Sequence, residues 1–219
     1  MRKRYILTGG TDGLGKAFAE ICLKNGIEII CIDRKKPDYD CIYIEADLSD
    51  EKTIERTADL IKDQYPTFDA LINCAGVISF EPANNISYSE LQRLYAVNLF
   101  APVYLTSLLF ETIKKNGADL LNVGSTAGTK PYLEHINYGT SKWAMRGFSL
   151  NLQLELKGTP CRVIQLNPGG IQTKIYEKFR GVEQDVKSFM LPQDIADIMY
   201  YTLSLPKSVE VSEILVNRK

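Results

Sequence analysis

Ser125, Tyr138 and Lys142 are the side chains whose types and spacing point most directly to chemistry. Positions four residues apart share one face of a helix, so Tyr138 and Lys142 can point into one site. A free tyrosine has a pKa of about 10, and a nearby ammonium stabilises the phenolate and lowers that pKa. With the Ser125 hydroxyl binding an oxygen atom, the three residues predict a site for proton transfer.

His135, the only histidine, lies three residues before Tyr138 and also suggests a catalytic role. Its loop is polar, and Glu134 is the only acid at a suggestive spacing. We therefore expect His135 to lie at the edge of a pocket rather than to take part in catalysis.

Short apolar runs alternate with longer helical patterns along the whole chain. Strands are predicted at 4–8, 28–33, 41–46, 70–74, 119–123, 162–166 and 212–216, and helices at 14–25, 51–64, 88–116, 138–157 and 193–204. Several strands are apolar on both faces, as expected when helices cover both sides of a sheet. This alternation predicts one α/β domain over 1–219, a three-layer doubly wound (Rossmann) fold with a mostly parallel sheet of about seven strands.

The segment 168–191 is long, polar and charged, and it begins with Pro168-Gly169-Gly170 directly after a predicted strand. Ligands of open α/β sheets bind outside the carboxyl ends of the strands. We expect this segment to be a substrate lid. A surface connection without a role in binding is the alternative.

The first predicted strand leads directly into the glycine-rich segment Thr8-Gly9-Gly10-Thr11-Asp12-Gly13-Leu14-Gly15. Glycines let the backbone turn tightly and approach a pyrophosphate at the N-terminus of the following helix. A phosphate-loop nucleotide hydrolase is the alternative, but Ala17 stands where that pattern needs Ser or Thr to bind Mg²⁺. The segment therefore favours a dinucleotide.

An acid at the end of the second strand, about 20 residues further on, is the second sign of a dinucleotide site. Asp33 stands there, where its carboxylate would accept bonds from a ribose diol and repel a 2′-phosphate. Asp12 adds a further negative charge. Both favour NAD(H), although Arg34 could accommodate the phosphate and leaves NADP(H) possible.

Taken together, these motifs resemble the short-chain dehydrogenase/reductase family in its compact single-domain branch, over nearly the whole chain. Asp47-Leu48 is similar to the family's adenine-contacting pair, and Asn73-Cys74-Ala75-Gly76 to its N-N-A-G element with Cys74 in place of the second Asn. Pro168-Gly169, with Thr173 beyond, resembles the turn that holds the nicotinamide carboxamide. The resemblance implies a catalytic tetrad of Asn98, Ser125, Tyr138 and Lys142. The cofactor-binding residues that it implies are Thr8, Gly9, Thr11, Asp12, Gly13, Leu14, Gly15, Asp33, Arg34, Asp47, Leu48, Asn73, Ala75, Gly76, Tyr138, Lys142, Pro168, Gly169, Ile171 and Thr173.

The resemblance further implies hydride transfer between a nicotinamide and a small carbonyl or alcohol substrate, without a metal. Tyr138 would be the general acid or base, and Ser125 would bind the reacting oxygen. Lys142 would lower the tyrosine pKa and bind the nicotinamide ribose, and Asn98 would hold a water that connects Lys142 to solvent. A non-catalytic dinucleotide-binding sensor or regulatory protein is the alternative, but such a protein would be expected to lack part of the tetrad.

Charge and composition bound the remaining possibilities. Net charge is −1, with 26 basic and 27 acidic residues, so binding to nucleic acid has little electrostatic support. The apolar runs are too short for a signal peptide or a membrane span. Five cysteines without metal-type spacing suggest reduced thiols in the cytoplasm. The family resemblance implies a homodimer or homotetramer that uses the helices at about 100–116 and 138–157.

Overall fold

Seven parallel strands form one sheet in the order β3–β2–β1–β4–β5–β6–β7, in a computed structural model that describes residues 2–175 and 188–219. The strands are β1 (Arg4–Thr8), β2 (Glu28–Asp33), β3 (Ile42–Glu45), β4 (Ala70–Asn73), β5 (Asp119–Val123), β6 (Val163–Pro168) and β7 (Glu213–Val216). Every neighbouring pair is parallel. The predicted doubly wound α/β fold is confirmed.

Helices cover both faces of the sheet. They are α1 (Gly13–Lys24), α2 (Glu51–Gln64), α3 (Tyr88–Tyr95), α4 (Ala101–Leu108), α5 (Phe110–Asn116), α6 (Ile136–Glu155) and α7 (Pro192–Ser204). Successive strand residues point to opposite faces, so Ile6 packs under α2, α4, α5 and α6, whereas Leu7 packs under α1 and α7. In the described ranges no single helix is long and apolar enough to cross a membrane. Two consecutive segments, Tyr88–Leu108 and Phe110–Asn116, meet the criteria of length and composition only when taken together, and the chain bends by 62° between them.

Short polar side chains cap the first turns of α1 and α2. Asp12 accepts a bond from the Gly13 N–H (2.7 Å) at the start of α1. Asp50 accepts from the Thr53 N–H (2.9 Å) at the start of α2. Each cap satisfies an N–H group that has no partner within its helix. The Asp12 cap places the start of α1 directly beside the glycine-rich loop.

The prediction of one helix over 88–116 is wrong. A π-helical turn, Ala96–Phe100, interrupts it, and a second break at Leu109 separates α4 from α5. The Asn98 side chain explains the first break, because its amide both accepts from the Val77 N–H (2.8 Å) and donates to the Val77 carbonyl (2.9 Å). Pro102 contributes as well, since it has no N–H to donate to the carbonyl four residues earlier, that of Asn98.

The segment after β6 pairs with the chain just before α7. The Gln172 N–H donates to the Met190 carbonyl (2.9 Å), and the Met190 N–H donates to the Gly170 carbonyl (3.1 Å). These bonds hold the two ends of the predicted lid, 168–191, beside the sheet. Its central residues, 176–187, lie outside the described part of the chain.

One register row of the sheet is polar where its neighbours are apolar. We call it the polar row, and its members are Thr8, Asn73, Asn122, Gln165 and Glu213. At the β7 end, Glu213 accepts bonds from Asn167 on β6 (2.6 Å) and from Arg146 on α6 (2.9 Å). The polar row thus ties the last strand to both the sheet and α6.

Buried hydrogen bonds join the centre of the polar row. Asn122 accepts from Asn73 (2.8 Å) and donates to Ser149 on α6 (2.9 Å). Ser149 donates to the Gln165 amide oxygen (2.5 Å), and Gln165 donates to Asn167 (2.7 Å). All five side chains are at most 5% exposed. Such groups cost free energy when a partner is removed, so these bonds specify how α6 sits on the sheet.

We therefore expect Asn122→Ala to lower the free energy of unfolding by about 2–4 kcal/mol, because it removes two buried hydrogen bonds, one with Asn73 and one with Ser149. Urea denaturation monitored by circular dichroism measures this loss. The matched control is Asn151→Ala on the exposed side of α6, which should change stability by about 0.5 kcal/mol or less. Equal losses in the two variants would contradict the role given to the polar row.

Candidate functional site

A cleft of about 720 Å³ lies at the carboxyl ends of the strands. The sheet order reverses between β1 and β4, which is where ligands of such sheets bind. The glycine-rich loop lines one end and the Ser125 region the other. The predicted site residues that line the cleft are Gly9, Thr11, Asp12, Gly13, Leu14, Gly15, Asp33, Arg34, Asp47, Leu48, Ala75, Gly76, Ser125, Tyr138, Lys142, Pro168, Gly169, Ile171 and Thr173.

Three predicted site residues, Thr8, Asn73 and Asn98, support the cleft without lining it. The Thr8 hydroxyl accepts bonds from the Cys74 N–H (3.1 Å) and the Ala75 N–H (3.2 Å), which joins the loops after β1 and β4. Asn73 belongs to the polar row. Thr8 and Asn98 act on the walls of the cleft through backbone groups, since Asn98 bonds to the Val77 N–H and carbonyl.

The glycine-rich loop packs so closely that side chains are excluded. A Cβ on Gly15 would lie 2.0 Å from the Gly9 carbonyl oxygen, and one on Gly9 would lie 2.6 Å from the Ala75 Cα. Gly9 and Gly13 also have positive φ angles of 73° and 53°. A Cβ on Gly13 would lie 3.0 Å from the Thr173 methyl group, so Thr173 lies against this loop. The bare backbone beside the N-terminus of α1 fits a pyrophosphate.

Asp33 is fixed at the end of β2, facing the cleft. Its Oδ2 accepts from the Thr11 N–H (3.1 Å) and hydroxyl (2.7 Å), and its Oδ1 accepts from the Arg34 N–H (2.7 Å). The Arg34 side chain is exposed on the same rim. The geometry therefore presents a carboxylate at the position predicted to bind a ribose diol.

The floor beyond Asp33 is formed by the ends of β3 and β4. The Asp47 carboxylate accepts from the Ser49 hydroxyl (2.7 Å) and N–H (2.9 Å), and these bonds lower its pKa. Leu48 is buried next to it. Burial raises the pKa of the Cys74 thiol to about 12, so this thiol stays protonated at neutral pH.

Ser125 follows β5 and begins a short 3₁₀ turn, Thr126–Gly128. Its hydroxyl oxygen accepts from the Ala127 N–H (3.1 Å), which fixes the side chain toward the cleft. The turn packs directly on α6, because a Cβ on Gly128 would lie 2.6 Å from the Lys142 carbonyl oxygen. This close contact brings Ser125 to the face of α6 that carries Tyr138 and Lys142.

Burial raises the pKa of the Tyr138 phenol, and a hydrogen bond from Ser125 offsets part of that rise. The sequence predicts the opposite direction, a pKa lowered by Lys142. The difference arises because the Lys142 ammonium lies 5.8 Å from the Tyr138 ring centroid and donates instead to the Val123 carbonyl (3.0 Å). Tyr138 is therefore protonated at neutral pH.

Lys142 is only 5% exposed, and burial lowers its pKa to about 8. Its Nζ lies beside the loop after β4, since a Cβ on Gly76 would be 3.7 Å from that atom. The same Cβ would lie 3.5 Å from Asn98 Oδ1, so the side chains of Asn98 and Lys142 both lie close to Gly76. The structure thus brings all four members of the predicted tetrad to one region.

His135 lies in the cleft wall, as expected for a residue at the edge of a pocket. Its ring contacts those of Phe80 (centroids 4.5 Å apart), Tyr132 (5.4 Å) and Tyr138 (6.2 Å). Its Nδ1 is 2.6 Å from the Leu133 carbonyl oxygen, so this nitrogen donates. Aromatic contacts and this backbone hydrogen bond hold the ring.

Sequence reasoning missed the polar row and Lys130, which also lines the cleft. Polar residues within otherwise apolar strands, such as Asn122 in β5 and Gln165 in β6, were the available signal for the row. Lys130 had no such signal, because its position depends on how the loop between β5 and α6 folds. Within residues 2–175 and 188–219, no group of three or more His, Cys, Asp or Glu side chains could hold a metal ion.

Comparisons with known proteins show to which family the chain is related. The model of the short chain dehydrogenase family matches residues 3–184. The NADP-dependent 3-hydroxy acid dehydrogenase YdfG of Salmonella typhi is 27% identical, covering 95% of this chain and 92% of its own. The serine 3-dehydrogenase of Agrobacterium fabrum is 26% identical, covering 98% of this chain and 93% of its own.

Solved structures show the same fold. A serine dehydrogenase in complex with NADP⁺ matches with a TM-score of 0.88 at 23% identity, covering 97% of this chain and 94% of its own. A 4-hydroxyisoleucine dehydrogenase in complex with NADH also matches with a TM-score of 0.88 at 23% identity, covering 99% of this chain and 98% of its own.

The buried Lys142 ammonium predicts a measurable effect of pH on stability. Between pH 8 and 10.5 the unfolded chain keeps the lysine proton that the folded protein has lost, so stability rises with pH in that window. At 1.36 kcal/mol per pH unit, the interval corresponds to roughly 3 kcal/mol. Relative to Lys142→Met, which has no charge to titrate there, the wild type should gain up to that amount between pH 7 and 10.

Urea denaturation of both proteins at several pH values measures this difference. Taking the difference between the two proteins cancels the titration of groups that do not interact with Lys142. A difference that does not change with pH would mean that Lys142 titrates near its ordinary value.

Proposed function

The chain belongs to the short-chain dehydrogenase family and is an NAD(P)-dependent oxidoreductase, and we propose that Tyr138 is its general acid and base. The observation that carries the proposal is the meeting of Ser125, Tyr138 and Lys142 at one end of a cleft whose other end is the glycine-rich loop. A nicotinamide bound there supplies or accepts the hydride at a carbon that bears an oxygen. The residues of the chain then manage the proton on that oxygen.

Each member of the tetrad has a distinct role in this proposal. In reduction, Tyr138 donates its proton to the carbonyl oxygen as the carbon becomes an alcohol, and in oxidation it takes that proton back. Ser125 donates a hydrogen bond that stabilises the developing negative charge on the oxygen. The raised pKa of Tyr138 suits the donating direction, since the phenol keeps its proton until the substrate oxygen becomes basic.

Lys142 and Asn98 would replace the proton that Tyr138 gives. A pKa of about 8 lets the Lys142 ammonium release and regain a proton near neutral pH. Because Pro102 has no N–H, it cannot donate the usual helical hydrogen bond to the Asn98 carbonyl. This supports the proposal that the Asn98 carbonyl binds the connecting water.

NAD(H) is the cofactor that we favour over NADP(H). The Asp33 carboxylate, held by Thr11, would accept bonds from an unmodified ribose and repel a 2′-phosphate. Arg34 on the same rim keeps NADP(H) possible, and the Salmonella relative is named as NADP-dependent. Asp33 therefore decides the preference in this proposal.

A small hydroxy acid, or the corresponding oxo acid, is the substrate class that we propose. Relatives that align over almost their full length are named for 3-hydroxy acids, serine and sulfoacetaldehyde, all of them small molecules that carry an anionic group. We also propose that 168–191 closes over such a substrate, which is consistent with the pairing of Gly170 and Gln172 with Met190 beside the cleft.

A homodimer or homotetramer in the cytoplasm completes the proposal. Trp143, Leu150 and Leu154 form an apolar stripe on the outer side of α6, and Leu154 is 71% exposed. The five cysteines are free thiols, which suits a reducing compartment. The alternative, a non-catalytic dinucleotide-binding sensor, would be expected to lack part of the tetrad, and all four residues are present.

We expect Tyr138→Phe to reduce kcat by about 10²-fold or more, because the variant has no proton to exchange with the substrate oxygen. NADH binding, measured by fluorescence titration, should remain within about threefold of wild type. Tyr201→Phe, on the exposed side of α7, is the matched control and should retain full activity. A loss of cofactor binding as large as the loss of rate would assign Tyr138 a structural role instead.

We expect Asp33→Asn to raise the ratio of kcat/KM for NADP(H) to that for NAD(H) by about tenfold or more, because it removes the charge that repels a 2′-phosphate. The amide oxygen can still accept from Thr11, so the loop should keep its shape. Initial rates with both cofactors measure the ratio. Asp59→Asn on the exposed side of α2 is the control, and an unchanged ratio in Asp33→Asn would remove Asp33 from this role.

A further inference from the structure

We propose that Lys130 binds the anionic group of the substrate, in a subsite that Lys130 forms with Tyr132 and His135 on the wall of the cleft. This inference rests on the proposed function and assigns the recognition of the substrate's carboxylate to one residue. The ligand class is a small carboxylate, and a sulfonate has the charge and oxygen acceptors to bind in the same way.

The described acids that line the cleft all lie at one end of it, where Arg34 is the cation beside them. These acids, Asp12, Asp33 and Asp47, lie at the end formed by the glycine-rich loop and the ends of β2 and β3. The end that carries Tyr138 is lined by Lys130, Arg93 and Lys142, with no acid among the described lining residues there. A field of one sign in a cleft attracts ligands of the opposite sign.

Lys130 is the cation in that half whose charge is available to a ligand. Arg93 is paired through two hydrogen bonds with Glu90 (2.7 and 2.5 Å). Lys142 is buried and donates to the Val123 carbonyl. Lys130 is exposed and forms no ion pair with any residue in the described ranges. Lys174 and Arg218 also line the cleft, but Lys130 is bonded to the turn that begins at Ser125. A carboxylate bound beside Ser125 therefore meets the Lys130 ammonium.

Tyr132 holds the Lys130 side chain over the cleft. The Lys130 Nζ lies 5.4 Å from the Tyr132 ring centroid, within the range of a cation–π contact. The Tyr132 hydroxyl donates to the Thr126 hydroxyl (3.0 Å), next to Ser125. The Lys130 N–H also donates to the Thr126 carbonyl (3.1 Å). These contacts attach the ammonium to the same turn that positions Ser125.

The rest of the loop is held in one shape, so the subsite is formed before the substrate enters. The Glu81 N–H donates to the Glu134 carbonyl (2.9 Å), and Glu134 has a positive φ of 59°. The Asn137 amide donates to the Glu81 carboxylate (2.7 Å). This clamp places His135 between Tyr132 and Tyr138, so a continuous wall of rings leads from the ammonium to the reacting centre.

Lys130→Gln tests the proposal, because it removes the charge and keeps most of the side-chain length. The probes are 3-hydroxybutanoate and its methyl ester, which differ in the anionic charge and are oxidised at the same carbon. We expect kcat/KM for the acid to fall about tenfold or more, mainly through KM, and kcat/KM for the ester to change by less than about twofold. Lys130→Arg should keep most of the activity toward the acid.

The matched control is Lys157→Gln, which changes the net charge equally at an exposed site beyond the end of α6 and should leave both substrates unaffected. Equal losses for acid and ester in Lys130→Gln would overturn the subsite and leave the proposed function intact. A wild type that oxidises only the ester would do the same. A wild type that oxidises neither compound would overturn both the subsite and the proposed substrate class.

Discussion

The close contact between the turn after β5 and helix α6 is the constraint on which the site depends. Only glycine at position 128 lets the turn approach the Lys142 backbone, because a Cβ there would lie 2.6 Å from a carbonyl oxygen. Ser125 begins this turn, and Tyr138 and Lys142 lie on the helix. Since reacting groups must be held within fractions of an ångström, the packing at Gly128 determines whether the three side chains can act together.

The polar row fixes this contact relative to the sheet. Ser149, two turns beyond Lys142 on α6, bonds with Asn122 and Gln165, so helix and strands have one favourable register. An apolar interface would permit small sliding movements at little cost, whereas displaced amides would lose buried hydrogen bonds. A Cβ on Gly124 would lie 2.1 Å from the Gln165 amide nitrogen, so the row also lies directly under the residue before Ser125.

The strands could be predicted from sequence because their apolar character on both faces is a local property. β1, β2 and β5 begin and end at the predicted residues. The single helix over 88–116 was wrong because its first break depends on bonds between Asn98 and Val77, 21 residues apart in the chain. Pro102 was visible, and its position four residues after Asn98 could have indicated the break.

The site residues divide in the same way. Asp33 could be placed from spacing alone, because it ends a strand that is itself evident. The effect of Lys142 on the pKa of Tyr138 could not be predicted from spacing, because it depends on the hydrogen bond from the Lys142 ammonium to the Val123 carbonyl at the end of β5. The position of Lys130 could not be predicted either, because it follows from the shape of a loop in which Glu134 has a positive φ angle.

Burial of the tetrad has opposite effects on its two titrating members. It raises the pKa of Tyr138 and lowers that of Lys142, so both shifts favour neutral side chains. In the proposed mechanism, the Tyr138 phenol keeps its proton until it donates it, and the Lys142 amine, with a pKa of about 8, resupplies that proton. In that mechanism the lowered lysine pKa serves catalysis at a cost to stability, because a fully stabilised ammonium would not release its proton.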